Sequence, residues 1–368
     1  MTAFNETFAL FPSAEYSTRV TLANVYLFME SFSLNFATAD FYISFLGVIL
    51  TIFHLVILTR KSMRTSSIMS IMICTALCDL VSMITAIGSR DIVLNFEVQD
   101  CTPPLSLLAY HVFSVVQTIR DDFLRCSTWL SVSMALIRYL ALKLATKGGS
   151  QRISSFMFGF HVFGASFLVS TLFSVMFFFR VKIVLVGEWI PADYCPDLSF
   201  PAQLIYDTIP SDLFISNNGA VLRIFMFFNA TLSKILPCIL FPVLTVLLVL
   251  ALKTTESNRK VSNVPDKKNK TERTTGLVIF MTVTFFIALL PSGIITSLQA
   301  VYTDVGFLYM TNNIDHICYT LLTLNATLHC FICFAMSSQY RRTVSIVLKL
   351  PNNRKNSVVT SSFNSRLT

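Results

Sequence analysis

Long stretches without a charged side chain recur along this sequence and restrict what it can fold into. A helix needs ~20 apolar residues to cross the ~30 Å hydrocarbon core of a bilayer. Segment 65–89 carries only Asp79, and five further segments contain no Asp, Glu, Lys or Arg and reach or approach that length: 41–59, 154–179, 235–252, 274–303 and 316–340. The pattern predicts membrane-spanning helices, because a helix satisfies its backbone hydrogen bonds internally in lipid.

The composition agrees with this prediction. Hydrophobic residues make up 54% of the 368 residues and charged residues only 13%. Soluble proteins carry roughly 25% charged residues. The chain is therefore expected to be an all-α membrane protein and not a pair of soluble domains.

A seventh apolar segment, 105–142, spans the membrane only if the charged run IRDDFLRCSTWL belongs to it. That run holds Arg120, Asp121, Asp122 and Arg125. With a rise of 1.5 Å per residue, Arg120 lies about 27 Å along a helix from Arg138. If Arg138 marks the inner boundary, the cluster lies in the outermost turns, where we expect its burial to be only partial.

Two interpretations of this cluster stay open. In the first, the charges pair with one another at the membrane interface, since Asp121 and Arg125 have the i,i+4 spacing of helical ion pairs. In the second, Arg120, Asp121, Asp122 and Arg125 form the floor of an outward-facing ligand pocket.

The predicted architecture is a bundle of seven transmembrane helices with a short amphipathic helix after the seventh. The amphipathic helix is predicted at 338–350, residues 1–37 form the N-terminus, and 351–368 form a tail. The spans are predicted at 38–59, 66–89, 107–140, 154–179, 222–252, 274–302 and 313–337.

The distribution of basic residues predicts the orientation. Most of the 28 Lys and Arg residues lie in the tail and in the loops after the first, third and fifth spans. Basic loops stay in the cytoplasm, so we expect a multi-pass plasma-membrane protein with an extracellular N-terminus. The net charge of +8 then reflects topology and contact with membrane lipids, and no nucleic acid is expected as a partner.

Three smaller features accompany the spans. Of the nine cysteines, only Cys101 and Cys195 fall in predicted outer loops, and we expect them to form a disulfide in that oxidising compartment. Asn5 lies in a glycosylation sequon. Pro237 and Pro291 lie inside spans, where proline removes a backbone hydrogen bond and kinks the helix.

Four stretches of the sequence resemble a known family. They are FHLVILTRKSMRTSSIM leading to CDL at Asp79, STWLSVSMALIRYLALK, VIFMTVTFFIALLPSG and NATLHCFICFAMSSQYRR. They resemble rhodopsin-like G-protein-coupled receptors, and more narrowly the nematode serpentine receptor class w chemoreceptors, which are similar to FMRFamide-type neuropeptide receptors. The resemblance implies an extracellular peptide or small chemosensory ligand, a heterotrimeric G protein as partner, and no cofactor. Arrestin and receptor kinases are candidate partners of the tail.

The resemblance also implies roles for particular residues. Asp79, Ser127, Asn325 and His329 occupy the region where rhodopsin-like receptors hold a sodium ion or a water network. Because His329 replaces an amide or an acid, a proton-linked network competes with sodium binding. A structural hydrogen-bonded cluster without an ion is the alternative.

Arg138 and Tyr139 match the part of the family motif that contacts the G protein. Here Ile137 replaces the acid that precedes the arginine, which predicts elevated basal signalling. Amine receptors carry an Asp at the place of Arg120. A cation there disfavours an amine and suits a carbonyl or carboxylate, while Asp121 and Asp122 suit a basic side chain of a peptide.

Two other classes of function compete with a receptor. A multi-span transporter of a small polar solute would show internal repeats and broken helices, and the sequence shows no such repeat. An intramembrane enzyme would need a catalytic cluster. The histidines His54, His161 and His329 lack the spacing of metal ligands, and no nucleophile motif is visible. We therefore expect neither enzymatic activity nor a metal.

Overall fold

The computed structural model describes residues 7–94, 101, 103–144, 153–191, 202–259, 268–302 and 304–348. Seven long helical spans form a bundle, and the predicted seven-helix fold is confirmed. In chain order they are Tyr16–Leu58, Ser67–Leu94, Leu107–Leu144, Phe156–Phe178, a fifth span built from Asp212–Ala230, the π-helical turn Thr231–Ile235 and Leu236–Arg259, then Lys268–Val301 and Val305–Met336. A short helix, Ser338–Val347, follows the seventh span.

Six of the seven spans are long and apolar enough to cross a membrane. The third span, Leu107–Leu144, has 38 residues and is the one that carries the charged cluster. Its length is sufficient for crossing. Its charges must therefore be accommodated by the helices around it.

The first span is much longer than a bilayer requires. Its 43 residues extend about 65 Å, roughly twice the hydrocarbon thickness. The sequence predicts a span at 38–59, but the helix already begins at Tyr16. Ser33 of this extension donates a 3.0 Å hydrogen bond to Asn313 of the seventh span. Such support from a distant part of the chain is not visible in the local sequence.

The described N-terminal segment packs on the same end of the bundle. Phe11 is fully buried and meets Phe307 edge to face, with ring centroids 5.6 Å apart. A Cβ atom at Gly306 would overlap the Phe11 ring. Ser13 donates from its backbone nitrogen to Asp304 at 3.1 Å. The segment thereby ties the start of the first helix to the start of the seventh.

A β-hairpin covers this end, which we call the hairpin end. The run VKIVLVGEW forms strand β1, Val181–Trp189. It pairs in antiparallel fashion with β2, Gln203–Pro210, which was not predicted, and a bulge separates Leu185 from Gly187. The hairpin lies directly after the fourth span and before the fifth.

The fifth span departs from regular helix at two places. Asn217, Asn218 and Gly219 have φ of 55°, 55° and 70°, a left-handed conformation that Gly and Asn tolerate best. The predicted start at 222 lies just after this break. The π-helical turn ends two residues before Pro237, which has no N–H to donate to the carbonyl four residues earlier. Pro291, in contrast, lies inside a helix that is continuous from Lys268 to Val301.

The short helix Ser338–Val347 closes the opposite end of the bundle. Its Tyr340 and Val344 are buried against Met63 and Ile57 of the first span and the loop after it. The Tyr340 hydroxyl lies 2.8 Å from Nδ1 of His54, and burial raises the pKa of Tyr340. The helix is therefore attached to the bundle by one apolar face, as its amphipathic pattern predicts.

The fourth span packs on the second through a glycine, which gives a direct test of the fold. A Cβ atom at Gly159 would lie 2.6 Å from the Ser67 carbonyl oxygen and would overlap Ser70. Gly159→Ala should therefore destabilise the purified protein in detergent by about 1–3 kcal/mol, measured as a lower melting temperature. Gly164→Ala on the same helix is the matched control, since no described residue lies within 4 Å of its Cβ position. Equal melting temperatures for the two variants would contradict this packing.

Candidate functional site

The structure separates the four charges of the third span. Arg120 faces the first span, where its Nη2 donates to Asp40 at 2.5 Å. Its guanidinium also lies over the Tyr319 ring, 4.7 Å from the centroid. The expectation of partial burial is wrong, because Arg120, Asp122 and Arg125 are only 4%, 7% and 9% exposed. Asp40 of the first span and Tyr319 of the seventh enclose Arg120, and these contacts between distant parts of the chain are not visible in the local sequence.

The other side chains of the cluster contact different helices. Asp122 accepts a 3.0 Å hydrogen bond from Thr171 of the fourth span. Asp121 accepts a 2.6 Å bond from the Tyr319 hydroxyl of the seventh. In the part of the chain that the structure describes, no ion pair joins Asp121 to Arg125, so the cluster is not the internally paired group that the i,i+4 spacing allowed.

Arg125 lies between the third, fourth and fifth spans. Its Nε donates to Ser233 at 2.9 Å, and its Nη1 donates at 3.0 Å to both the hydroxyl of Ser174 and the carbonyl oxygen of Ser170. The guanidinium also lies 5.7 Å from the centroid of the Phe173 ring. Neutral hydrogen-bond acceptors therefore hold this cation in place.

A cavity of about 260 Å³ opens at the hairpin end, and we call it the upper cavity. Asp121 and Arg125 line it, whereas Arg120 and Asp122 are not among its lining residues. The other ionisable side chains and the tyrosine in its wall are Arg180, Lys234, Asp315, His316 and Tyr319. Half of the predicted pocket residues thus face the cavity.

This cavity contains an ion pair that was not predicted from the sequence. Lys234 Nζ lies 3.0 Å and 3.3 Å from the two carboxylate oxygens of Asp315, and Ser292 contacts both side chains. Each charge lies one residue before an uncharged segment, since those segments begin at 235 and 316. Both residues nevertheless fall within the predicted spans 222–252 and 313–337. An ionisable side chain at membrane depth is itself a signal of function.

Arg180 closes the upper cavity at the end of the fourth span. Its Nε is buried and has no hydrogen-bond partner among the described residues. Its guanidinium lies 4.3 Å from the centroid of the Phe177 ring. Burial lowers the pKa of Arg180 to about 10, which leaves the side chain protonated at neutral pH.

The polar network that the resemblance implies is largely assembled. Ser127 donates a 2.6 Å hydrogen bond to Asp79 Oδ1, and Nδ1 of His329 lies 3.4 Å from Asp79 Oδ2. Asn325 is buried, and its Oδ1 lacks a hydrogen-bond partner among the described residues. The second, third and seventh spans meet at Asp79. Binding of sodium to this network, binding of a proton, and a structural cluster without an ion all stay hypotheses.

A second cavity, of about 460 Å³, lies at the end of the bundle that carries the short helix. We call it the lower cavity. Arg138 lines it together with His54, His329 and Tyr340. Within the described chain, Arg138 makes no hydrogen bond or ion pair, and the preceding residue, Ile137, is buried and apolar.

The remaining predicted residues can be placed only in part. Tyr139 lies outside the lining of the lower cavity, and its ring is 5.7 Å from Lys143 Nζ. Cys101 is disulfide-bonded, and the seven cysteines inside the spans carry free thiols. Cys195 and Asn5 lie outside the described residues, so the Cys101–Cys195 pairing and the glycosylation stay predictions.

The comparisons with known proteins agree with this arrangement. Residues 38–350 match the family model described as "Serpentine type 7TM GPCR chemoreceptor Srw". The chain belongs to this Srw family. It is 23% identical over 343 residues to the G-protein coupled receptor dmsr-1 of Caenorhabditis elegans, covering 83% of this chain and 66% of the relative. It is 23% identical over 309 residues to the sex peptide receptor of Drosophila melanogaster, covering 78% and 66%. The chain thus spans just under two thirds of the length of these curated relatives.

The Lys234–Asp315 pair allows a test of how a buried ion pair affects the stability of this Srw receptor. The two side chains are 17% and 16% exposed, so Asp315→Asn leaves a largely buried ammonium group without its counter-charge. We expect a loss of about 3 kcal/mol of stability, measured as a lower melting temperature in detergent. The double variant Lys234→Met/Asp315→Leu should recover most of that loss.

Asp212→Asn is the matched control for this experiment. It breaks the Lys182–Asp212 pair, whose side chains are 40% and 86% exposed, and an exposed pair contributes little to stability. If Asp212→Asn and Asp315→Asn lowered the melting temperature equally, burial would not be the cause of the effect.

Proposed function

We propose that this Srw receptor lies in the plasma membrane, binds an extracellular ligand in the upper cavity and activates a heterotrimeric G protein at the lower cavity. One observation carries the proposal: the third span lines both cavities, as do the fifth and the seventh. Asp121 and Arg125 face the upper cavity, and Arg138 faces the lower. Arg60, Lys61 and Arg64 follow the first span at the end of the bundle that holds the lower cavity, which supports a cytoplasmic lower cavity and an extracellular hairpin.

The Asp79 network is the proposed connection between the two cavities. Ser127 lies on the third span between Arg125 and Arg138, and it is bonded to Asp79. His329 contacts the same carboxylate and also lines the lower cavity. A ligand that moves the third span relative to the seventh would change the contacts that Asp79 makes with Ser127 and His329. Shifts of 1–2 Å between packed helices are a common form of such switching.

A peptide is the ligand class that we favour over a small chemosensory molecule. The volume of about 260 Å³ is below the ≈ 300–1,000 Å³ of cavities that enclose whole drug-sized ligands. It accommodates one side chain or one terminus of a peptide, with the remainder over the hairpin. The sex peptide receptor is a relative whose name mentions a peptide, and the class w chemoreceptors that the sequence resembles are similar to FMRFamide-type receptors. Lipids contact the spans, and arrestin and receptor kinases are proposed partners of the tail.

Arg138→Ala tests the coupling half of the proposal. Cells that express the full chain are screened with secreted peptides and odorants, and G-protein activation is recorded. We expect a ligand-dependent signal that Arg138→Ala abolishes at unchanged surface expression. The control is Arg223→Ala, which changes an exposed arginine outside both cavities. Uptake of a polar solute without any G-protein signal would indicate the transporter instead.

A second prediction concerns basal activity. Because Ile137 supplies no carboxylate to Arg138, we expect the receptor to signal measurably without ligand. Ile137→Asp introduces the missing acid, and an ion pair of this kind contributes ~1 kcal/mol or less. Basal G-protein activation should fall by about threefold to fivefold, whereas Ile137→Leu should leave it unchanged. Unchanged basal activity in Ile137→Asp at equal surface expression would count against this restraint.

A further inference from the structure

Two arginines in the wall of the upper cavity have no carboxylate partner among the residues that the structure describes. The ion pairs between acids and Lys or Arg in the described chain are Arg120–Asp40, Lys182–Asp212 and Lys234–Asp315. Arg125 and Arg180 belong to none of them, yet both line the cavity. An uncompensated cation removed from water is costly unless an anion or several hydrogen bonds stabilise it.

The hydrogen bonds of these arginines leave donors available. Arg125 uses Nε and Nη1 for Ser233, Ser174 and Ser170, and its Nη2 has no partner among the described residues. For Arg180, the buried Nε is unsatisfied, and Nη1 has only a 3.9 Å contact with the Met226 sulfur. Arg180 Nη2, like Arg125 Nη2, has no partner among the described residues, so both guanidinium groups can donate to a molecule in the cavity.

The acids of the cavity are already engaged. Asp121 accepts from the Tyr319 hydroxyl, and Asp315 is bound by Lys234 and Ser292. The described lining thus holds three cationic side chains, Arg125, Arg180 and Lys234, against two carboxylates. Arg120, which the sequence suggested as the anion-binding residue, is neutralised by Asp40 outside this cavity.

We infer that the upper cavity binds a carboxylate between Arg125 and Arg180. This inference rests on the proposed function and specifies the chemistry of the ligand for that same cavity. Planar guanidinium groups match carboxylates in geometry and charge. Phe177, Phe178 and Leu289 supply an apolar wall for the group that carries the carboxylate. The carboxylate comes either from a free organic acid or from an acidic side chain of a peptide.

A melting-temperature measurement on the purified full chain in detergent tests the inference without any signalling assay. The probes are phenylacetate and its neutral isostere phenylacetamide, together with the dipeptides N-acetyl-Phe-Glu-amide and N-acetyl-Phe-Gln-amide. We expect an acidic probe at ten times its dissociation constant to raise the melting temperature by about 2 °C. The neutral member of each pair should give no shift.

Variants assign the effect to the arginines. Arg180→Gln should remove the shift, Arg180→Lys should retain part of it, and Arg223→Gln, at an exposed arginine, should retain all of it. Arg125 has more contacts within the bundle, so Arg180 is the main target. If Arg180→Gln does not fold, the comparison of acidic and neutral probes on the unaltered chain still decides the matter.

The outcomes separate the two sources of the carboxylate and the two proposals. Stabilisation by phenylacetate alone indicates a free organic acid, and stabilisation by the Glu dipeptide indicates a peptide side chain. Equal shifts with acidic and neutral probes, no shift with any of the four, or a shift that Arg180→Gln leaves intact would overturn the inference. Such a result would not affect Arg138-dependent signalling, which tests the proposed function separately.

Discussion

The energetic cost of charge inside hydrocarbon is the constraint on which this bundle depends. Two ion pairs at the core of the bundle, Arg120–Asp40 and Lys234–Asp315, and the contact of His329 with Asp79 each join different spans. A lone charge at that depth costs several kcal/mol, so a rotation of any of these helices that separated a pair would be strongly unfavourable. The pairs therefore determine which face each helix turns inward, which lipid-facing apolar packing alone would not specify.

The third span shows the consequence most clearly. Consecutive residues on an α-helix are about 100° apart, so a compact cluster of charges necessarily points in several directions. Arg120 reaches the first span, Asp121 the seventh and Asp122 the fourth. One helix is thus in polar contact with neighbours on several sides, and a displacement of it must change several of these contacts together. That property suits a helix whose two ends line separate cavities.

The sequence predicted what depends on local pattern and missed what depends on distant partners. Apolar length was sufficient to place seven spans, and the resemblance brought Asp79, Ser127 and His329 together. The sequence did not reveal that Asp40 would neutralise Arg120, since 80 residues separate them in the chain. The Lys234–Asp315 pair was missed because a single charge at the edge of an apolar segment is indistinguishable from a loop residue without its partner.

The positions of the unpaired cations among the described residues relate the cost of buried charge to the proposed binding of molecules at the two cavities. Between the two cavities, Asp79 contacts Ser127 and His329. At the cavities, within the chain that the structure describes, Arg125 and Arg180 above and Arg138 below lack a carboxylate. Selection for stability alone would favour pairing or apolar replacement of such residues, because an unpaired buried cation destabilises the fold. Their position at the two openings is explained if molecules that enter from either side supply the missing acceptor groups.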